Sequence, residues 1–214
     1  MIKYIIIILL LLASAAPCLG QADDYALIIN GGIISKKVLQ PLITDIKKEY
    51  GGNFDNLSAE KEIKLKESFK QAIDDIIDTE LIRQGSKIMR IKVSSKEVND
   101  RTNDIIKSFP SKDEFMKSLK DNNMSMDIFK NGIETILMRE KIVKVLAKDI
   151  IITDKEIYDF AQHNKEVNIQ DMQDSIKKYL FAQKAGVIFH DWLSREKSKA
   201  KITYHPNLKW VMGD

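Results

Sequence analysis

The side chains best suited to acid–base chemistry or metal binding are three histidines, and their spacing favours neither role. His163, His190 and His205 are isolated from one another, and none stands in a His-Glu-x-x-His or similar ligand spacing. The one cysteine, Cys18, lies near the N-terminus and far from all three. We therefore predict no metal site, and we interpret His190, close to Trp192 on an apolar helix, as a semi-buried structural residue.

Phosphate binding and carboxylate catalysis have equally little support. The sequence Asn30-Gly31-Gly32 is typical of a tight turn rather than a phosphate loop, and no Gly-x-Ser-x-Gly nucleophile elbow occurs. Asp74, Asp75 and Asp78 fall on what we expect to be the solvated face of a helix, which is a poor setting for general acid–base work. We therefore predict no catalytic residue and no cofactor.

A group of methionines and phenylalanines is the set most able to bind an apolar ligand. Its members are spread over three short predicted helices. Met and Phe at such spacing usually form an ordinary core. The alternative is an adaptable apolar surface, because Met side chains change shape at low cost and suit many different peptides. The sequence leaves both interpretations open, and the candidate client-binding residues are Phe109, Phe115, Met116, Met124, Met126 and Phe129.

The N-terminal segment has the pattern of an export signal. Lys3 precedes an unbroken apolar run over residues 4–13, and small residues follow. We predict a cleaved signal peptide over residues 1–20, with the cut between Gly20 and Gln21. Cleavage after Ala22 is the competing site. The exported chain would then be one domain over residues 21–214, working in the periplasm.

Two other interpretations of that segment stay open. Cys18 is a candidate for lipidation, although Pro17 and Ala15 occupy positions where a lipoprotein signal favours a small residue and a leucine. An uncleaved membrane anchor is the second option, because residues 4–20 reach the lower limit of about 17 residues for a spanning helix. A retained signal would give the protein a weak membrane association.

Composition narrows the class of protein further. The formal net charge of +3 falls by one when Lys3 leaves with the signal, and so balanced a chain is a poor nucleic-acid binder. Loss of Cys18 with the signal would leave no disulfide, so packing must supply the stability. Charged residues make up 30% of the chain, with only four prolines and nine glycines, which favours amphipathic helices.

The predicted elements are mostly helical, with a very small sheet. Short apolar runs on both sides of Asn30-Gly31 predict a hairpin, and Ser35 is placed to cap a helix over 36–49. A long amphipathic helix is predicted over 58–84, with Gly85 as its terminator. No internal repeat stands out. Three capping boxes follow along the chain, at Ser94–Glu97, Ser111–Glu114 and Thr153–Glu156. The last helix is predicted over 169–198, and a short strand over 201–204.

The order of these elements resembles the N-terminal domain of the SurA family of periplasmic chaperones. The resemblance covers nearly the whole exported chain, although each motif is loose. It implies a mainly α chaperone domain, completed by the helix over 169–198, with a three-stranded sheet joining the N- and C-terminal segments. The matching stretches are 26–35, 79–82, 93–98, 115–126, 151–157, 192–193 and 200–204.

One departure from that family bears on activity. In SurA and the related PrsA and PpiD proteins, a parvulin prolyl isomerase domain usually follows the segment matching 158–164. Here residues 164–168 lead directly into the last helix, so no parvulin domain fits. The resemblance therefore implies a non-enzymatic holdase for unfolded outer-membrane or secreted polypeptides. The alternatives are a prolyl isomerase and a membrane-anchored structural subunit of an envelope complex.

Overall fold

A computed structural model describes residues 25–39, 44, 58–163 and 169–208 of the chain. Within these ranges the fold is mainly helical with a small antiparallel sheet, which confirms the predicted class. A 3₁₀ turn follows β2 and another follows β3. The elements are β1 (Tyr25–Ile29), β2 (Gly32–Ser35), α1 (Ala59–Ile88), α2 (Ser95–Lys107), α3 (Lys112–Asp121), α4 (Met126–Leu146), α5 (Asp154–His163), α6 (Ile169–Lys199) and β3 (Ile202–Tyr204).

The sheet joins the two ends of the described chain. Its strand order is β2-β1-β3 with both pairings antiparallel, so Leu27 lies opposite Ile34 on one side and Tyr204 on the other. The predicted hairpin turn is present, with Asn30 at φ 51° and Gly31 at φ 85°. Positive φ at both central residues favours Asn-Gly because this pair tolerates the left-handed region best.

The central strand packs its buried face on α1. Leu27 and Ile29 have no exposed surface, and Ile73 of α1 is likewise completely buried. Burial of side chains this size contributes roughly 1.5–3 kcal/mol each, so this contact helps to hold the sheet on α1. The α1 residues that line this core recur at helical spacing and are Leu65, Phe69, Ile73, Ile76, Ile77 and Leu81.

The end of α1 differs from the prediction. The helix does not stop at Gly85 but continues to Ile88, with Met89 as its C-cap. Gly85 lies inside the helix, and the indole of Trp192 rests against it. A Cβ at Gly85 would lie 2.4 Å from Cζ2 and 2.7 Å from Cη2 of that ring. The glycine therefore permits a close contact between α1 and α6 and does not terminate the helix.

The remaining helices form two further packed groups beside this core. In the first, α2 and α3 pack with α4. In the second, α5 packs on the N-terminal half of α6 through Ile176 and Leu180, whereas Phe189 and Trp192 in the other half face α1 and α4. The two halves of α6 thus contribute to two different cores. Of the helix predicted over 36–49, a 3₁₀ turn over Lys36–Leu39 is described, and most of the rest lies outside the described residues.

Candidate functional site

Five of the six predicted Met and Phe residues, all but Met116, come together between α2, α3 and α4. The ring centroids of Phe109 and Phe115 are 5.3 Å apart, and those of Phe115 and Phe129 are 5.2 Å apart, both with edge-on geometry. Phe115, Phe129 and Met124 are buried, while Phe109 and Met126 are partly buried against them. These five residues therefore belong to one apolar cluster.

This burial favours the core interpretation over the surface interpretation. A side chain with almost no exposed area cannot touch a ligand unless the helices around it separate. Met116 differs from the rest of the set, because 42% of it is exposed on α3. Ligand contact through Met116 stays a proposal.

Exposed apolar residues are concentrated elsewhere, on α5 and α6. The rings of Phe160 of α5 and Tyr179 of α6 are in tilted contact with centroids 5.3 Å apart, so aromatic residues of the two helices meet here. Ile151 in the approach to α5 belongs to the same region. The large apolar side chains that α5 and α6 leave exposed are Tyr158, Met172, Tyr179, Phe181 and Val187. We call the unit formed by residues 150–163 and 169–184 the arm.

A shallow recess lies between the two helices of the arm. It has a volume of about 390 Å³ and is lined by Glu156, Asp159, Phe160, His163 and Leu180. Apolar carbon from Phe160 and Leu180 lies beside two carboxylates. Each carboxylate is paired with a lysine of the arm, so the recess carries little net charge. An apolar side chain fits such a surface.

Sequence reasoning missed the arm because its exposed residues do not lie at core spacing. In α5 the buried positions are Ile157 and Ala161, one helical turn apart. Tyr158 follows Ile157 directly, lies off that buried stripe and is exposed. A large aromatic residue placed off the buried stripe of a short helix was the available signal.

The interpretation of His190 as semi-buried is wrong. Its side chain is 84% exposed on α6, because the buried face of that half of the helix carries Phe189 and Trp192 instead. His163 Nδ1 donates a hydrogen bond to the backbone carbonyl of Asp159, and His205 packs edge-on against the ring of Tyr25. The three histidines are thus on separate elements. In the part of the chain that the structure describes, no group of three metal-binding side chains occurs.

The acidic triplet on α1 is also not the solvated face that we predicted. Lys197 of α6 reaches across and lies 3.1 Å from Asp74 and 3.0 Å from Asp78. Burial raises the pKa of the neighbouring Asp75 above its ordinary value, although a hydrogen bond from Gln71 acts in the opposite direction. These half-buried charges join α1 to α6, and their role is structural.

The next features concern the membrane, the predicted signal and the connection between α5 and α6. Among the described helices, none combines the length and apolar character needed to cross a membrane. The predicted signal over 1–20, with its cleavage site, lies outside the described residues. Along the chain, α5 ends at His163 and α6 begins at Ile169, so five residues connect the two helices.

The chain is similar in sequence to known proteins. The family model of the SurA-like N-terminal domain matches residues 1–143. The foldase protein PrsA of Clostridium botulinum strain Langeland is 25% identical over 200 residues, which are 79% of this chain and 59% of the relative. The PrsA foldase of Clostridium kluyveri is 27% identical over 154 residues, or 64% of this chain and 45% of the relative. This chain thus spans less than two thirds of either relative. It belongs to the family of the SurA-like N-terminal domain.

Proposed function

We propose that this protein is a chaperone that holds unfolded, exported polypeptides and keeps them from aggregating. The single observation that carries the proposal is the arm, where a member of this chaperone family leaves aromatic and aliphatic side chains exposed. The curated relatives are named as foldases, which supports a role in protein folding. Binding without chemistry needs no catalytic group, and the buried Met and Phe cluster serves as scaffold.

The physical mechanism is weak apolar burial spread over several contacts. Apolar area removed from water contributes roughly 25 cal/mol per Å², so each partly covered side chain adds only a small free energy. An open surface of this kind discriminates little between sequences and lets a bound segment leave quickly. Both properties suit a holdase, which must accept many unfolded chains and release each one to fold.

The place of action and the clients belong to the same proposal. The predicted signal over residues 1–20 would export the chain to the periplasm, where folding proceeds without ATP. Outer-membrane protein precursors and secreted polypeptides are the proposed clients. The isomerase alternative has less support, because residues 164–168 stand where a parvulin domain would be inserted.

Aggregation suppression is the decisive test of this function. An unfolded outer-membrane β-barrel precursor is diluted from urea with and without the purified chain, and light scattering is followed. We expect suppression at stoichiometric chain concentrations, and no effect of the chain on precursor aggregation would contradict the proposal. A protease-coupled prolyl isomerase assay on the same preparation tests the enzyme alternative, which clear isomerase activity would favour. The mass of the mature N-terminus, measured in soluble and membrane fractions, distinguishes cleavage from anchoring.

A further inference from the structure

Two segments of the chain build the same local structure, contrary to our expectation that no repeat is present. Residues 91–100 and 150–159 both follow the pattern Ile-x-Val/Ile-Ser/Thr-x-Lys-Glu-Val/Ile-x-Asp. Each segment ends one connection and begins a short helix, α2 in the first copy and α5 in the second. The Lys–Asp pair at the end of the pattern forms an ion pair of 2.6 Å in both copies.

The hydrogen bonds at the two helix starts also correspond one to one. In the first copy the Ser94 N–H donates to Glu97 Oε2 at 2.9 Å, and the Glu97 N–H donates to Ser94 Oγ at 3.3 Å. In the second copy the Thr153 N–H donates to Glu156 Oε2 at 3.0 Å, and the Glu156 N–H donates to Thr153 Oγ1 at 3.3 Å. These are two complete capping boxes.

A lysine from the neighbouring long helix completes each copy. Lys141 of α4 lies 2.6 Å from Glu97 Oε1 and donates to the carbonyl of Lys92 at 2.6 Å. Lys184 of α6 lies 2.5 Å from Glu156 Oε1 and donates to the carbonyl of Ile151 at 3.3 Å. In both copies the carbonyl belongs to the residue two positions before the N-cap. We call this arrangement the lysine clamp.

The two copies differ in two side chains that take no part in the capping box, the ion pair or the clamp, although Asn99 of the first copy accepts a hydrogen bond from Lys130 of α4 at 2.9 Å. The first copy has Lys92 and Asn99, whereas the second has Ile151 and Tyr158 at the matching positions. Ile151 is 75% exposed and Tyr158 is 55% exposed. The first copy shows that the same capping box and clamp form with polar residues at these two positions. Packing therefore gives no reason for the two apolar side chains in the second copy.

We propose that the second copy is the client-contacting element of the arm and that Lys184 is its positioning residue, an inference that rests on the proposed chaperone function. Ile151, Tyr158 and the recess beside Phe160 contact an extended apolar segment of an unfolded polypeptide. The clamp fixes α5 against α6 and so sets the shape of that surface. The first copy, with the same clamp and a polar exterior, is scaffold only.

An extended polypeptide is the occupant that this surface fits. The recess volume of about 390 Å³ is near the low end of ligand sites, which suits one apolar side chain at a time. Its carboxylates, Glu156 and Asp159, are each paired with a lysine, so the recess does not select for charge. Ile151 and Tyr158 stand outside the recess and provide additional, separate contacts. Such spaced, uncharged contacts match a flexible chain of varied sequence.

The repeat supplies a matched pair of variants for the test. Ile151→Lys with Tyr158→Asn transfers the first-copy residues into the second copy, and Lys92→Ile with Asn99→Tyr makes the reverse change. Fluorescence anisotropy of a labelled, reduced and carboxymethylated unfolded polypeptide reports the Kd. We expect the first double variant to weaken binding on the order of tenfold, as for loss of two interface anchors. The reverse variant should bind at least as tightly as wild type.

The clamp is tested in parallel with its own control. Lys184→Met should weaken binding and raise amide hydrogen exchange in α5, and Lys184→Arg should restore both, because the guanidinium retains donors for the carboxylate and the carbonyl. Lys141→Met removes the equivalent clamp of the first copy and should leave the Kd unchanged. An equal loss of binding in Lys141→Met and Lys184→Met would reduce Lys184 to general structural support.

The outcomes distinguish a failure of this inference from a failure of the proposed chaperone function. Absence of polypeptide binding by the wild-type chain contradicts the proposed function. Binding that survives the Ile151→Lys, Tyr158→Asn change overturns only the surface assigned here. Sedimentation of the wild type over a range of concentrations tests whether a second copy of the chain occupies this surface. A dimer that this double variant dissociates would assign the surface to a second copy of the chain and overturn the client assignment.

Discussion

Replacement of Gly85 by alanine is the sharpest test of how α1 and α6 pack. In most exposed helix positions this change stabilises a protein, because glycine costs roughly 0.8–1 kcal/mol relative to alanine. Here the new methyl group would lie 2.4 Å from Cζ2 of Trp192. Carbon atoms in ordinary contact are about 3.5–4.0 Å apart, so the indole must retreat by about 1 Å.

The magnitude follows from what surrounds the indole. Trp192 is buried, and its ring packs on Phe189 with centroids 5.6 Å apart in a cluster that also holds Ile82 and Ile142. A forced shift in a packed core costs about 1–3 kcal/mol, and the rigidity of the ring favours the upper part of that range. After the gain in helix propensity is subtracted, we expect Gly85→Ala to lower the free energy of unfolding by about 1–2 kcal/mol.

Urea denaturation followed by far-UV circular dichroism measures this free energy. Gly186→Ala on α6 is the matched control, because a Cβ there meets nothing within 4 Å, and it should stabilise by up to about 1 kcal/mol. In a Trp192→Leu background, Gly85→Ala should become neutral or stabilising, since the obstructing ring is gone. Destabilisation of equal size in both backgrounds would refute the role assigned to the Trp192 contact.

Three further predictions concern the core and the charges. Met124→Ser should lower the free energy of unfolding by about 2–5 kcal/mol because Met124 is buried, whereas Met116→Ser, at an exposed position, should change it by less than about 0.5 kcal/mol; urea denaturation compares them. A hydrogen bond from Lys184 is the largest cause that lowers the pKa of Glu156 from 4.5 to about 2. A lowered pKa stabilises the fold above the unfolded-state value, so the stability difference between wild type and Glu156→Gln should be constant above about pH 4.5 and shrink towards pH 2. Lys197→Met should cost about 1 kcal/mol at low ionic strength and less in high salt, measured by denaturation at two salt concentrations.

Much of the fold was predictable because local sequence determined it. The Asn30-Gly31 pair specified a turn that few other residues tolerate, and the capping boxes at Ser94 and Thr153 specified where two helices begin. The pairing of β3 with β1 is a long-range contact that periodicity does not reveal. That prediction depended on resemblance to a family of known architecture, and the register of Leu27 with Tyr204 bears it out.

What the sequence did not reveal depends on contacts between distant segments. Gly85 has the local appearance of a helix terminator, and only the approach of Trp192 explains its place inside α1. Asp74 and Asp78 appear solvated until Lys197 is brought beside them by the fold. The burial of the Met and Phe cluster was undecided for the same reason, because three helices must pack together before its exposure is defined.

The position of β1 at the centre of the sheet has a consequence for the order of folding. Synthesis delivers β1 and β2 first, but β3 arrives only after α1 to α6 have emerged. Asn30 then exchanges hydrogen bonds with Lys201, its N–H donating to the Lys201 carbonyl and its Oδ1 accepting from the Lys201 N–H, each at 2.9 Å. Contacts between residues so far apart in the chain form slowly. The nascent protein therefore carries an open β1 edge for most of its synthesis and is itself, for that time, an unfolded chain in need of protection.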